Sequence, residues 1–309
     1  MNRGESALAG NLRRRDLLKL LAGSSLAALV SCNDGAPNVT YAAGSVRTPT
    51  LFGSQLYGSD DVLRSVAMLT ELGAKYVRVS VQVPQSFLDA VVGAATRHGL
   101  RVILLSAYAA QPVDLAAYAR STAQFQVRYA AADPVWEIWN EPNLPQYWNG
   151  PPDVSAYITV LAAASAALRA AGATDIWTGG TSGVDLNWIF NLSARGAFRW
   201  ANGCAVHSYK PPGFARTEYV QAVSFLPAGV KLHTTETCIA STVGSQAEFF
   251  DQMWYLHREL NLTTMIWCEF RDGAAGDVAP FNEAYGLVDQ NYGIKSVYTA
   301  AQQAIRTDD

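Results

Sequence analysis

The chain has 309 residues, room for one large domain or two small ones, and half of them are hydrophobic, so a sizeable core can form. The formal net charge of −3 gives no electrostatic case for nucleic acid. Zinc-type Cys/His spacing, a Walker loop and a dinucleotide fingerprint are missing, and His98, His207, His233 and His257 lie far apart, so neither a metal nor an organic cofactor is expected.

The N-terminus reads as an address. Arg13-Arg14-Arg15-Asp16-Leu17-Leu18-Lys19 precedes an apolar run that ends at Val30 and is shorter than the ~20 residues of a membrane span. A basic segment followed by an apolar one is the layout of an export signal. Arg14-Arg15 with Leu17-Leu18-Lys19 resembles a bacterial twin-arginine signal. Leu29-Val30-Ser31-Cys32 resembles a lipoprotein cleavage box. Residues 1–31 are thus expected to be an export signal, with Cys32 acylated and anchoring the protein to a membrane of the cell envelope. Residues 32–49, rich in Asn, Gly, Ser, Thr and Pro, read as a tether. Cys204, Cys238 and Cys268 remain. An odd number excludes full pairing within the chain. One pair is open, Cys238 with Cys268, since their strands should be neighbours, but free buried cysteines are the favoured expectation.

From about residue 50, short apolar runs alternate with Ala/Leu-rich helical stretches, the pattern of βα units around a parallel sheet. The runs are Leu51–Gln55, Tyr76–Val81, Arg101–Ala107, Val135–Asn140, Asp175–Gly179, Gly203–Ser208, Lys231–Glu236 and Thr263–Cys268. Helices are expected near 60–72, 86–99, 113–131, 153–171, 185–195, 216–226, 245–260 and 294–306. Start signals such as Ser59-Asp60-Asp61 and Pro151-Pro152-Asp153 precede several of them. Gly73, Gly99 and Gly172 stand where helices should stop. Pro211-Pro212-Gly213 and Pro227 interrupt the region of the sixth helix. Eight such units predict an α/β fold of the (β/α)8 TIM-barrel class, one catalytic domain over residues 50–309. A doubly wound sheet would show a Gly-rich loop after its first strand, and Gly53-Ser54-Gln55 is not one.

A barrel of this kind places its active site at the C-terminal ends of the strands. The polar and aromatic residues there are Gln55, Arg78 with Ser80, Ser106 with Tyr108, Asn140 with Glu141, Thr181 with Ser182, His207 with Tyr209, Glu236, and Trp267 with Glu269. The fourth run, Val135-Trp136-Glu137-Ile138-Trp139-Asn140-Glu141-Pro142, must end by Glu141, because Pro142 cannot donate to a ladder. A carboxylate at such a tip borders a low-dielectric interior and suits proton donation. The seventh run delivers a second carboxylate, Glu236, on the opposite side of the mouth. Two facing carboxylates are the minimum apparatus of glycoside hydrolysis, with environments that push their proton affinities apart. Arg78 could hold one of them ionised.

Trp139-Asn140-Glu141-Pro142-Asn143-Leu144, followed by Tyr147-Trp148, resembles the acid/base motif of glycoside hydrolase family 39, in the clan of retaining (β/α)8 glycosidases. Family 5 enzymes share most of the features. The resemblance implies Glu141 as acid/base and Glu236 as nucleophile. It implies that Asn140 bonds the sugar 2-hydroxyl and Arg78 supports the nucleophile, with His207, Tyr209 and Trp267 lining the subsite where the bond breaks. Trp267 is expected to stack on the sugar ring. Cys238 stands where the pattern more often has Gly. Trp148 and Trp188 are expected beside mouth loops, and Trp148 counts among the substrate contacts. Glu269 is the reserve carboxylate, as a substrate contact or alternative catalyst. Glu137 is expected to be a buried structural carboxylate. Trp136, Trp177 and Trp254 read as packing residues.

The activity implied is that of a retaining β-glycosidase acting on a carbohydrate substrate. Hydrolysis and transglycosylation would use the same apparatus, and a decayed, carbohydrate-binding lipoprotein is the non-enzymatic rival. The resemblance also implies that β-xylosidases of this family usually carry an extra β-sandwich, for which this chain has no length left. With the tether, that favours endo action on an envelope or secreted polysaccharide. Nothing in the sequence fixes an oligomeric state.

Overall fold

The computed structural model describes residues 49–107, 114–273 and 285–307. The export segment, Cys32, nearly all of the tether, and Tyr108 lie outside the described residues. The elements run β1 Leu51–Gln55, α1 Val62–Leu72, β2 Tyr76–Ser80, α2 Gln85–Arg97, β3 Arg101–Leu105 and α3 Leu115–Tyr129. Then come β4 Val135–Asn140, a short α4 Pro145–Trp148, α5 Val154–Ala170, β5 Ile176–Ser182, α6 Leu186–Ala194 and β6 Gly203–His207. The last are α7 Pro212–Phe225, β7 Lys231–Thr237, α8 Gln246–Glu259, β8 Thr264–Trp267 and α9 Ser296–Arg306. The strands close into a parallel barrel in sequence order, β8 pairing with β1. This is the expected (β/α)8 fold.

Local chemistry sets the boundaries. Asp61, Asp114, Asp153, Asp185 and Ser245 each cap a helix by accepting from backbone N–H groups of its first turn. The sixth main helix, α7, starts earlier than the sequence suggested. Pro212 sits at its first turn, where the missing N–H costs nothing. The Pro pair therefore opens the helix instead of breaking it.

Alternation along the strands sorts side chains into two cores. Tyr76, Ile103, Val135, Trp177 and Ile266 point inward and fill the floor of the barrel, with Leu51 against them. Phe52, Val77, Val79, Trp136, Leu232 and Met265 face the helices in the larger outer core. Directly above the apolar floor the interior turns polar. Arg78 and Glu137 lie one inward position beyond Tyr76 and Val135, and both are fully buried. Charges at that depth require partners.

Candidate active site

Glu137 and Glu236 share one cation. Arg78 Nε donates to Glu137 Oε2 at 2.7 Å and Nη2 donates to Oε1 at 3.2 Å. Arg78 Nη1 donates to Glu236 Oε1 at 2.6 Å and also to the Gln55 side-chain oxygen Oε1. The Tyr209 hydroxyl donates to Glu236 Oε2. Glu137 Oε1 also accepts from Gly180 N–H and from the Thr235 hydroxyl, both at 3.0 Å. Burial opposes ionisation of Glu137, but Arg78 and His207 prevail and bring its pKa down to about 2.

His207 joins this network to Glu141. Its Nδ1 lies 2.9 Å from Glu141 Oε1, and its Nε2 lies 3.7 Å from Glu137 Oε1 and from Glu236 Oε1. Burial disfavours the imidazolium, but Glu236, Glu137 and Glu141 outweigh it and raise the His207 pKa to about 9. The surrounding carboxylates therefore favour the imidazolium, the form in which Nδ1–H donates to Glu141 Oε1. Glu141 and Glu236 thus stand on the two sides of one imidazole ring.

Two departures from regular strand geometry put these groups inward. In β7, Thr234 bonds outward to Tyr219 and His257, and Thr235 bonds inward to Glu137. Strict alternation would then send Glu236 outward. Instead the register slips on both flanks of the strand. Val206 pairs with Thr234 but His207 with Glu236, and Thr237 pairs with Trp267 three residues after Thr234 pairs with Met265. Such a bulge re-aims one side chain, and here it turns Glu236 into the mouth. In β4, Ile138 and Trp139 both belong to the outer core, which alternation forbids. The break is paid for by left-handed backbone at Trp139 (φ 81°) and Glu141 (φ 44°). Trp139 is fixed outward by Tyr118 and Trp148, and by its indole N–H on the Tyr147 carbonyl. Asn140 is left at the tip, 2% exposed, and its Oδ1 accepts no hydrogen bond from the described residues. A buried acceptor without a donor points to a ligand that brings one.

The structure thus brings together Arg78, Glu236, Tyr209, His207 and Glu141, with Asn140 beside Glu141 in the chain. The tryptophans depart from expectation. Trp267 is fully buried on the outer face of β8, its ring against Phe249 and Phe250 and its N–H on the Tyr285 carbonyl. Alternation explains it, because the neighbouring Ile266 takes the inward place. Trp148 is 1% exposed, packed edge-on against Trp139 and Tyr157, and Trp188 continues that series. All three occupy packing positions and offer no open ring face. Glu269 is buried just past β8, between Cys268 N–H on the tip of β7 and Phe270 N–H on that of β1. Cys238 and Cys268 are disulfide-bonded, against the expectation of free thiols. The β7 and β8 ends converge so that the Cα atoms lie 5.7 Å apart, within the reach of a bridge. Cys204 remains a buried thiol. Sequence reasoning gave no role to Gln55 or Thr235, whose partners are distant in the chain.

No family model and no curated protein sequence matches the chain. Solved structures do match. A GH39 enzyme from Xanthomonas axonopodis pv. citri superposes with a TM-score of 0.64 at 18% identity, covering 83% of this chain and 65% of that one. This chain therefore spans just under two thirds of that protein. A GH39 β-xylosidase from Caulobacter crescentus gives 0.64 at 18% identity over 85% and 72%. Xylanase 10B from Thermotoga maritima gives 0.63 at 12% identity over 84% and 95%. At such identities the likeness establishes the barrel fold, and the chemistry must be argued from the site.

Proposed function

We propose that the protein is a retaining β-glycosidase that cleaves polysaccharide or oligosaccharide by double displacement. The observation that carries this is the pair Glu141 and Glu236, set on opposite sides of His207 with unlike partners. Glu236 accepts from Arg78 and Tyr209, donors that favour its carboxylate form and aim it. Among the described residues Glu141 makes one side-chain hydrogen bond, through Oε1. Its second oxygen is available to a leaving group. In the first step Glu236 attacks the anomeric carbon, the bond to the leaving oxygen breaks, and Glu141 passes its proton to that oxygen. In the second, Glu141 takes a proton from water, which displaces Glu236 and restores both groups. Asn140 Oδ1 is placed to accept from a sugar hydroxyl. The matched structures described as xylosidases and xylanases support a β-linked glycan as substrate. Endo action on an envelope or secreted polysaccharide is the proposed mode.

The reading includes export by the twin-arginine route and anchoring through Cys32. The Cys238–Cys268 disulfide supports an oxidising compartment. Cys32→Ser should release the protein from membranes, and a mutant that stays with the membrane fraction at mature size would sink the anchor. The mechanism is tested by variants. Glu236→Gln should abolish turnover on every substrate. Glu141→Gln should still form the glycosyl-enzyme from an activated aryl glycoside, show a burst, and be rescued by azide as a β-glycosyl azide. An inverted product, or azide rescue of the Glu236 variant alone, would overturn the assignment.

A further inference from the structure

Five ionisable groups are joined by hydrogen bonds or lie within 4 Å in the mouth: Arg78 from β2, Glu137 and Glu141 from the β4 strand and its tip, His207 from β6, and Glu236 from β7. Arg78, Glu137 and His207 are fully buried, and Glu141 and Glu236 are 7% and 3% exposed. The catalytic cycle uses two of the carboxylates and leaves Glu137 without a chemical step. Yet Glu137 is heavily bonded: it takes both Arg78 contacts, the Gly180 N–H and the Thr235 hydroxyl. Around the set stand the Tyr209 hydroxyl on Glu236, the Gln55 side-chain amide on Arg78, and His233 one layer deeper. Burial holds His233 neutral. Glu269 lies beyond Cys268.

We propose that Glu137 is a positioning residue: it fixes Arg78 through two hydrogen bonds and sets a buried carboxylate beside His207, so that the imidazolium is favoured where the ring meets Glu141. The inference rests on the glycosidase reading for its catalytic half. Glu137 accepts from both Nε and Nη2 of Arg78, and its Oε1 lies 3.7 Å from His207 Nε2, so one buried carboxylate faces both the guanidinium and the imidazole. A neutral side chain there would leave the two with one buried carboxylate fewer, which favours release of the imidazole's second proton.

The test has two readouts. Imidazole NMR on histidine-labelled protein follows His207 whether or not any substrate is turned over. In the wild type His207 should stay doubly protonated at pH 7, and a neutral imidazole there would overturn the proposal without any variant being made. In Glu137→Gln, which keeps shape and removes charge, His207 should lose its proton at least about one pH unit lower. Glu137→Asp, which keeps the charge, should restore most of the difference. On a substrate that the wild type cleaves, the basic limb of kcat/KM should move down in pH in Glu137→Gln and return in Glu137→Asp. Unchanged His207 titration in a folded Glu137→Gln protein refutes the proposal. A shifted titration with no glycosidase activity in the wild type sustains the electrostatic role and refutes the glycosidase reading.

Discussion

Breaking the Cys238–Cys268 bond should weaken the barrel by an amount the structure sets. The bridge closes a segment with a sequence separation of 30. Loop-closure entropy for that length corresponds to about 3.5–4 kcal/mol of stabilisation. For a domain of this size each kcal/mol moves the melting temperature by about 2–4 °C. The double variant Cys238→Ala/Cys268→Ala should therefore melt about 7–15 °C lower than the wild type under oxidising conditions. Calorimetry with and without reductant checks this, since reductant should lower the wild type and leave the variant unmoved. A thiol count after denaturation gives an independent reading. Among the described residues only Cys204 should react in the oxidised protein, and all three cysteines after reduction. Because Cys238 is two residues from Glu236, the variant should also lose turnover at temperatures where it is still folded. A melting temperature within about 3 °C of the wild type, with the bond shown to be present, would refute the entropic argument.

Other outcomes follow from the packing and the titrating groups. His257 is buried, its Nδ1 on the Met253 carbonyl and its Nε2 on Thr234, and burial lowers its pKa to about 4. A depressed folded-state pKa means the unfolded chain binds the proton first, so stability should fall as pH drops from about 6.5 to about 4. The loss is on the order of 3 kcal/mol from this group alone. Urea midpoints across that window should show it, and His257→Gln should flatten the slope. Trp267→Ala should cost about 3–5 kcal/mol of stability by opening the core against Phe249 and Phe250. A cooperative melt at the wild-type temperature combined with lost activity would return Trp267 to the substrate site. Gly180→Ala should abolish turnover, because the added carbon meets the His207 ring and the Thr235 hydroxyl. Normal kinetics in that variant would show that His207 need not stand where it does.

The barrel was legible in the sequence because eight apolar runs and eight amphipathic stretches alternate, and seven of the helices lie within a few residues of their expected bounds. Glu141 was legible because Pro142 forces the strand to stop there. Glu236 was found by its place at a strand end, but its direction was not. Counting by twos from Leu232 turns it outward, and only the register slips beside β6 and β8 bring it in. The converse holds at β8. There alternation survives, and Trp267 goes to the helix layer that the resemblance did not suggest. The disulfide depended on how closely two loop entries converge, a distance that spacing in the chain does not contain. The role of Glu137 was hidden for a similar reason, since its partners come from β2, β5, β6 and β7 and meet only in the closed barrel.

The glycine pair on β5 limits how this site can be remodelled. A side chain at Gly179 would strike the Ile138 and Trp139 carbonyl groups, and one at Gly180 would strike His207. Along this wall the barrel contributes main chain alone, and the imidazole fills the place a fifth-strand side chain would take. Directed evolution toward a different sugar would find that sector closed. Gains in specificity would have to come from the loops above the mouth, where residues can change size without evicting the ring that separates the two glutamates.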